Sequence, residues 1–161
     1  MINTIDGIIA AAQGGTPGVI AVAAAHDQPV IEAVAAARKE GIATPILVGY
    51  VDEIKSMLTG LGEDPAAYEI IAGDTDQDCA AKAVALCAQG KANFLMKGIL
   101  GTADLMRAVF NKEQGLRTSH LTTHCVRDEI HSLGRRLVLT DGGFNTFPDL
   151  DKKAEILENA A

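Results

Sequence analysis

Repeated pairing of a strand-like run with a helix-like segment constrains this fold more than any other feature. The run at 19–25 is continuously apolar without period-2 alternation, which is typical of a strand buried on both faces. Successive strand-then-helix units predict a parallel sheet joined by right-handed crossovers, and hence an α/β fold. Hydrophobic residues make up 48% of the chain and aromatic residues only 4%, so we expect a core of small aliphatic side chains. The predicted strands are 19–25, 44–49, 68–72 and 93–97.

Glycines and capping residues predict where the helices lie. We expect a helix at 3–12 before the first strand, and later helices that end at Gly41 and Gly90, since glycine tolerates a positive φ. Short polar side chains accept hydrogen bonds from the first free N–H groups of a helix. The expected N-terminal caps are Asp52, Thr102, and either Asp74 or Thr75.

The alternation of strand and helix ends after Gly115. Residues 121–130 and 136–140 read as two strands, and the turn at 132–134 favours antiparallel pairing. Asp149 then begins a last helix that is still helical in pattern at Ala161. We therefore expect an N-terminal α/β domain at 1–134, followed at 135–161 by a final strand and helix that begin a second domain.

Charge and cysteine content exclude several classes of function. The net charge of −7 and the scattered basic residues argue against a nucleic-acid-binding surface. No leader-like segment and no apolar run of about 18 residues is present, so we expect neither export nor a membrane partner. The three cysteines fit no metal-binding spacing and are expected to be reduced thiols, which predicts a cytoplasmic protein.

Cationic side chains at strand and helix ends suggest an anion site. Lys97 directly follows the fourth strand and precedes Gly98 and Gly101, which permit close approach of backbone to a ligand. Arg117 follows a glycine turn and precedes Thr118, and we expect it to bracket the same helix N-terminus as Lys97. The alternatives are a lysine that snorkels from the sheet edge and a surface arginine.

Other polar groups carry weaker signals. His26 and Asp27 form an acid–base pair in one interpretation, whereas in the preferred one Asp27 caps a helix and His26 is solvated. His120 and His124 lie in or near a strand and do not share a face as helical i, i+4 metal ligands would, so no metal site is expected there, and His131 is expected to face solvent. Residues 141–145, which end in Asn145, are either a substrate loop or an ordinary Asx turn. Neither a dinucleotide fingerprint nor a Walker-type loop occurs.

Two segments resemble the phosphate acetyl/butyryltransferase family, and the phosphate butyryltransferase type in particular. They are MKGILGTADLMRAVFNKEQGLRT at 96–118 and RRLVLTDGGFNTFPDLDKKAEILENA at 135–160. The resemblance implies a reversible transferase reaction in which acyl-CoA and phosphate give acyl phosphate and coenzyme A. It implies neither a metal nor a bound cofactor, because coenzyme A is a substrate.

The resemblance also implies an architecture and a set of site residues. The expected fold is a three-layer α/β/α domain with a mostly parallel sheet, like that of isocitrate and isopropylmalate dehydrogenases. Family members have a second domain, a cleft between domains and commonly a dimeric state. This chain is therefore expected to be the N-terminal part, truncated and inactive or nearly so by itself, and to pair as a homodimer or with a chain that supplies the second domain. The alternative is a non-catalytic module that binds coenzyme A or phosphate, or a subunit of a split enzyme. The implied substrate-binding residues are Lys97, Thr102 and Arg117, with Ser119 and Asn145 as lesser candidates.

Overall fold

The computed structural model of the chain describes residues 4–130 and 135–161, without the side chains of Arg135 and Arg136. These residues form two compact units. We call Ala12–Arg117 the sheet unit, and Met1–Ala11 together with Thr118–Ala161 the hairpin unit. The expected turn at 132–134 and the solvent-facing His131 lie outside the described residues.

The four strands of the sheet unit are all parallel, as the sequence predicts, and they lie in the order β3-β2-β1-β4. The strands are β1 (Gly18–Ala23), β2 (Ala43–Gly49), β3 (Glu69–Ala72) and β4 (Phe94–Lys97). Its helices are α2 (Gln28–Lys39), α3 (Val51–Gly60), α4 (Asp76–Ala88) and α5 (Thr102–Val109), whereas most of α1 (Ile5–Gln13) belongs to the hairpin unit. Among the residues that the structure describes, none of the helices combines the length and apolar character needed to span a bilayer.

Two apolar clusters cover the two faces of the sheet. Val22 and Leu47 point to the face that packs against α2 and α3, where Ile31 and Ile54 are fully buried. Because side chains alternate along a strand, their neighbours point to the other face, which packs against α4 and α5. The result is the expected three-layer α/β/α arrangement, with a core built mainly of small aliphatic residues.

Helix starts differ in detail from the expected caps. The cap position of α3 is Tyr50, so the expectation that Asp52 caps this helix is wrong. The Asp52 carboxylate lies in the first turn, where it interacts favourably with the positive end of the helix dipole. For α4 the cap is Thr75, whose hydroxyl accepts from the Asp78 N–H at 3.2 Å. A short 3-10 helix at Pro65–Ala67, capped by the Asp64 side chain, was not predicted.

The hairpin unit contains β5 (Cys125–Ile130), β6 (Arg135–Thr140) and α6 (Leu150–Ala160). The strands pair antiparallel as expected, although β5 begins four residues later than the predicted strand. The expected cap of α6 is confirmed, since the Asp149 carboxylate accepts from the Lys152 N–H at 3.0 Å. One face of the hairpin carries the apolar side chains of Val126, Leu137 and Leu139, which are between 40% and 63% exposed, and also the exposed Asp128 opposite Leu137.

Candidate functional site

Lys97 stands at the carboxyl end of β4, directly opposite Ala23 of the neighbouring strand. Its side chain is exposed, and its ammonium folds over the following turn, where it donates to the carbonyl oxygens of Gly98 and Leu100 at 3.1 Å each. An ammonium has three donors, so one N–H remains for an anion. The lysine therefore does not trail freely into solvent, as a snorkelling side chain would.

Gly98 is fixed by the chain's own backbone. Its N–H donates to the carbonyl oxygen of Ala23 at 2.8 Å, and the next N–H, of Ile99, donates to that of Ala24 at 3.0 Å. A Cβ on Gly98 would collide with the Ala24 carbonyl oxygen and lie 2.6 Å from that of Ala23. The glycine is needed because the turn docks onto the end of β1. The sequence analysis expected it instead to let the backbone approach a ligand.

Helix α5 begins beside this turn and leaves donors free. Gly101 occupies the cap position, so the expectation that Thr102 caps the helix is wrong: Thr102 is the first helical residue. The Gly101 carbonyl oxygen accepts from the N–H of Asp104 at 3.1 Å and of Leu105 at 3.3 Å. The N–H groups of Thr102 and Ala103 have no partner within residues 4–130 and 135–161. Free donors at the positive end of a helix suit an anionic oxygen.

Arg117 is delivered to the other end of α5. The Leu116 N–H donates to the Val109 carbonyl oxygen at 2.8 Å, and Gly115 packs so closely on this helix end that a Cβ has no room. An eight-residue helix is about 12 Å long, so the backbones of Lys97 and Arg117 do not bracket the same helix terminus. The exposed guanidinium has no partner among the described residues, and its sharing of a pocket with Lys97 remains a prediction.

The two lesser candidates belong to the hairpin unit. Ser119 is exposed, and its hydroxyl has no partner in the part of the chain that the structure describes. Asn145 uses both amide protons within the chain: Nδ2 donates to the Thr122 carbonyl oxygen at 3.0 Å and to the Asp141 carboxylate. Because both neighbours are acceptors, the amide orientation is fixed, and only the oxygen of Asn145 is left for a ligand.

Asp141 organises the loop that Asn145 belongs to. Burial favours the neutral carboxyl, but donors from Asn145 Nδ2 and from the N–H groups of Phe144, Gly143 and His124 outweigh it and hold the pKa at about 2. This loop is an Asx-type turn, as the more conservative interpretation of the sequence expected.

His26 is less solvated than expected. Its ring stacks on Tyr50 with centroids 3.9 Å apart, and Nδ1 is buried without a hydrogen-bond partner among the described residues. A Cβ on Gly49 would lie 2.7 Å from Nδ1, so glycine at the end of β2 makes room for the imidazole. Asp27 occupies the cap position of α2, but its side chain makes no cap hydrogen bond in the described structure. No sequence signal pairs Gly49 with His26, because their contact is tertiary.

The cysteines and the potential metal ligands are spread over the described residues. The three cysteines are free, and burial raises the pKa of the Cys79 and Cys87 thiols, which disfavours a thiolate nucleophile. Within residues 4–130 and 135–161, no group of three metal-ligating side chains comes together. His120 instead lies 3.7 Å from the Glu155 carboxylate.

Comparisons with known proteins agree on one family. The family described as phosphate acetyl/butaryl transferase matches residues 3–81 and 71–161. The chain is 42% identical over 160 residues to a phosphate butyryltransferase of Clostridium acetobutylicum, and 36% identical over 155 residues to a phosphate acetyltransferase of Rhizobium meliloti. These alignments cover 99% and 96% of this chain but 53% and 49% of the relatives. The chain thus spans about half the length of the curated relatives that it matches.

Solved structures show the same fold. A phosphotransacetylase from Streptococcus pyogenes superposes with a TM-score of 0.78 at 22% identity, covering 96% of this chain and 56% of that one. A branched-chain phosphotransacylase from Enterococcus faecalis V583 gives a TM-score of 0.71 at 23% identity, covering 88% of this chain and 49% of that one. At such identities the likeness establishes the architecture alone.

Proposed function

The chain belongs to the phosphate acetyl/butyryl transferase family, and we propose that it supplies the phosphate-holding part of a site that moves an acyl group between coenzyme A and phosphate. The observation that carries this proposal is the Lys97 ammonium, folded over the turn that leads into α5 with one donor free. The N–H groups of Thr102 and Ala103, unpaired within the described part of the chain, open the helix that follows that turn. A fixed cation and free helix donors are the groups that a phosphate oxygen needs.

These groups fit the chemistry of the transfer. A phosphate oxygen attacks the thioester carbonyl carbon, a C–O bond forms, the C–S bond breaks, and the thiolate of coenzyme A takes up a proton. Lys97 would orient the attacking phosphate and, with the α5 N–H groups, reduce the repulsion between its negative charge and the developing oxyanion. Arg117, whose guanidinium is exposed and unpaired among the described residues, would hold a second phosphoryl oxygen from the far end of α5. We propose no metal and no bound cofactor in this step, with coenzyme A acting as substrate.

The acyl group is proposed from sequence likeness. The 42% identity to a phosphate butyryltransferase exceeds the 36% identity to a phosphate acetyltransferase, so we propose a short acyl chain of the butyryl type. We place the reaction in the cytoplasm, where the three free thiols stay reduced.

Self-association is part of the proposal. The hairpin face that carries Val126, Leu137 and Leu139 is open, and a two-stranded hairpin by itself is only marginally stable in water. A second copy offers the same face, so a two-fold pairing covers both at once. We therefore propose a homodimer that forms through this face.

An acyl-transfer assay tests the proposal. Thiol release from butyryl-CoA in the presence of phosphate is measured for the chain alone and for the chain mixed with the C-terminal half of the Clostridium acetobutylicum phosphate butyryltransferase. We expect phosphate-dependent thiol release in the mixture and its loss in Lys97→Met, but not in Lys91→Met, an exposed lysine of the same unit. Phosphate and CoA binding without release in either sample would instead support a non-catalytic binding module.

A further inference from the structure

A cavity of about 410 Å³ lies between α6 and the loop that precedes it. The volume falls in the range of small-molecule sites. All of its lining residues belong to the hairpin unit. They are Thr140, Asp141, Asn145, Thr146, Pro148, Lys153, Ile156 and Leu157.

Both walls of the cavity are tied to the same stretch of main chain, residues 121–124. On the loop side, Asn145 donates to the Thr122 carbonyl oxygen at 3.0 Å, and Asp141 accepts from the His124 N–H at 3.1 Å. On the helix side, Glu155 accepts from the Leu121 N–H at 2.6 Å, and Asn159 donates to the carbonyl oxygen of the same residue at 3.0 Å. Hydrogen bonds to one stretch of main chain therefore fix the distance between the two walls.

The polar groups of the lining offer both donors and acceptors. Asn145 has spent both amide protons, so its oxygen is left to accept. The Thr146 hydroxyl and the Lys153 ammonium have no partner among the described residues and remain as donors. The neighbouring Lys152 differs, since its ammonium lies 3.5 Å from the Asp149 carboxylate.

The charge of the lining argues against a phosphate ligand. The Asp141 carboxylate and the Lys153 ammonium cancel, and no other lining residue is charged. The rest of the wall is apolar, with Pro148, Ile156 and Leu157. A neutral cavity with separate donors, an acceptor and an alkyl surface matches an uncharged chain that carries amides.

We propose that this cavity binds a chain of secondary amides separated by short alkyl segments. An amide N–H would donate to the Asn145 oxygen, an amide carbonyl would accept from Thr146 or Lys153, and the alkyl segments would lie on Pro148 and Leu157. The identification of this ligand as the amide-bearing arm of acyl-CoA rests on the proposed function. Phosphate binding at Lys97 is a separate assignment.

Pantetheine, which carries this arm without the nucleotide, is the probe for the first experiment. Its titration into ¹⁵N-labelled protein should give saturable shifts of the amides of Thr146, Lys153 and Leu157. Thr146→Val removes the hydroxyl at nearly constant shape and should weaken binding about fivefold, the equivalent of one hydrogen bond. Thr146→Ser keeps the donor and should bind like the unaltered chain. Equal affinity of the valine and serine variants would remove Thr146 from the site.

The alkyl wall has its own variant pair. Leu157 lines the cavity and is 66% exposed, so Leu157→Asn should fold normally and bind pantetheine about fivefold more weakly. Leu150 lies on the same helix, is 81% exposed and does not line the cavity, so Leu150→Asn should bind without change.

Two outcomes overturn the inference: no saturable shift at these amides, or tighter binding of inorganic phosphate than of pantetheine there. Failure of the proposed function looks different. If pantetheine binds the cavity while phosphate leaves the amides of Thr102 and Ala103 unshifted, the cavity assignment stands and the phosphate assignment of Lys97 falls.

Discussion

No Cβ fits on Gly98, because the carbonyl oxygen of Ala24 occupies that space. Ala24 is itself fully buried and has a φ of 56°, a left-handed conformation that is costly for a residue with a Cβ. The end of β1 is thus bent to receive the turn that follows β4. The position of the Lys97 ammonium depends on this docking, because Lys97 donates to carbonyl oxygens within that turn.

Gly98→Ala should destabilise the chain by about 1–3 kcal/mol, the usual cost of overpacking. The added methyl must displace backbone rather than a flexible side chain. Gly60→Ala is the control, because no atom of the described residues lies within 4 Å of its Cβ position at the end of α3, and alanine is the better helix former. Urea unfolding of both variants measures the difference. Equal midpoints for Gly98→Ala and the unaltered chain would show that the turn is not held as described.

Stability should fall in alkaline solution because of Tyr68. Burial, followed by the hydrogen bond and charge of Glu63, raises the pKa of this phenol to about 12, although the Arg38 guanidinium, 4.8 Å from the ring centre, opposes it. A raised pKa means that the unfolded chain loses its proton first. The contribution of Tyr68 is therefore complete below pH 10 and declines as the pH rises toward 12.

Urea midpoints measured from pH 9 to pH 12 check this prediction. Tyr68→Phe should lose some stability at pH 9, because its hydroxyl donates to the Glu63 carboxylate at 2.7 Å, but should show a flatter decline above pH 10. Tyr50→Phe, the same change at the other tyrosine, should keep the steeper decline. If the urea midpoints of the two variants declined equally with pH, Tyr68 would not be the source of the alkaline loss of stability.

Acid should loosen the loop around Asp141. Its depressed pKa, about 2 against an ordinary 3.8, means that its stabilising contribution is present above about pH 4 and is lost as the pH falls toward 2. The carboxyl ¹³C shift of Asp141 should titrate near 2. Asp141→Asn should speed amide exchange at Gly143 and Phe144 even at neutral pH, whereas Asp151→Asn, in the exposed first turn of α6, should not. An ordinary titration near 3.8 would contradict the hydrogen-bond assignment.

The proposed dimer depends on one face of the hairpin. Leu139, 63% exposed on that face, should be needed for it, so Leu139→Asp should shift the chain to monomer in multi-angle light scattering. Val138 is 45% exposed on the opposite face, and Val138→Asp should leave the dimer intact. A monomeric unaltered chain at high concentration would remove the dimer proposal.

Local patterns predicted the sheet unit well because they reflect physics that acts along the chain. Continuous apolar runs identified the parallel strands, and the Asp149 carboxylate identified the start of α6. Caps were less predictable, since Thr102 is a good capping residue, yet Gly101 is the residue at which the chain leaves extended geometry.

Tertiary relationships could not be predicted in this way. The burial of His26 Nδ1 depends on the missing side chain of Gly49, on a different strand end. The position of Arg117 depends on the hydrogen bond from the Leu116 N–H to the Val109 carbonyl oxygen at the end of α5. One amide proton of Asn145 is donated to the carbonyl oxygen of Thr122, which lies far earlier in the sequence.

A phosphate titration monitored by ¹H–¹⁵N shifts tests the central claim, that Lys97 and the start of α5 hold phosphate. The account predicts saturable shifts at Thr102 and Ala103, weakened about 10- to 100-fold in Lys97→Met, the cost of one charge-assisted hydrogen bond, and unchanged in Lys91→Met. Unshifted amides at Thr102 and Ala103, or equal affinities in the two variants, would contradict it.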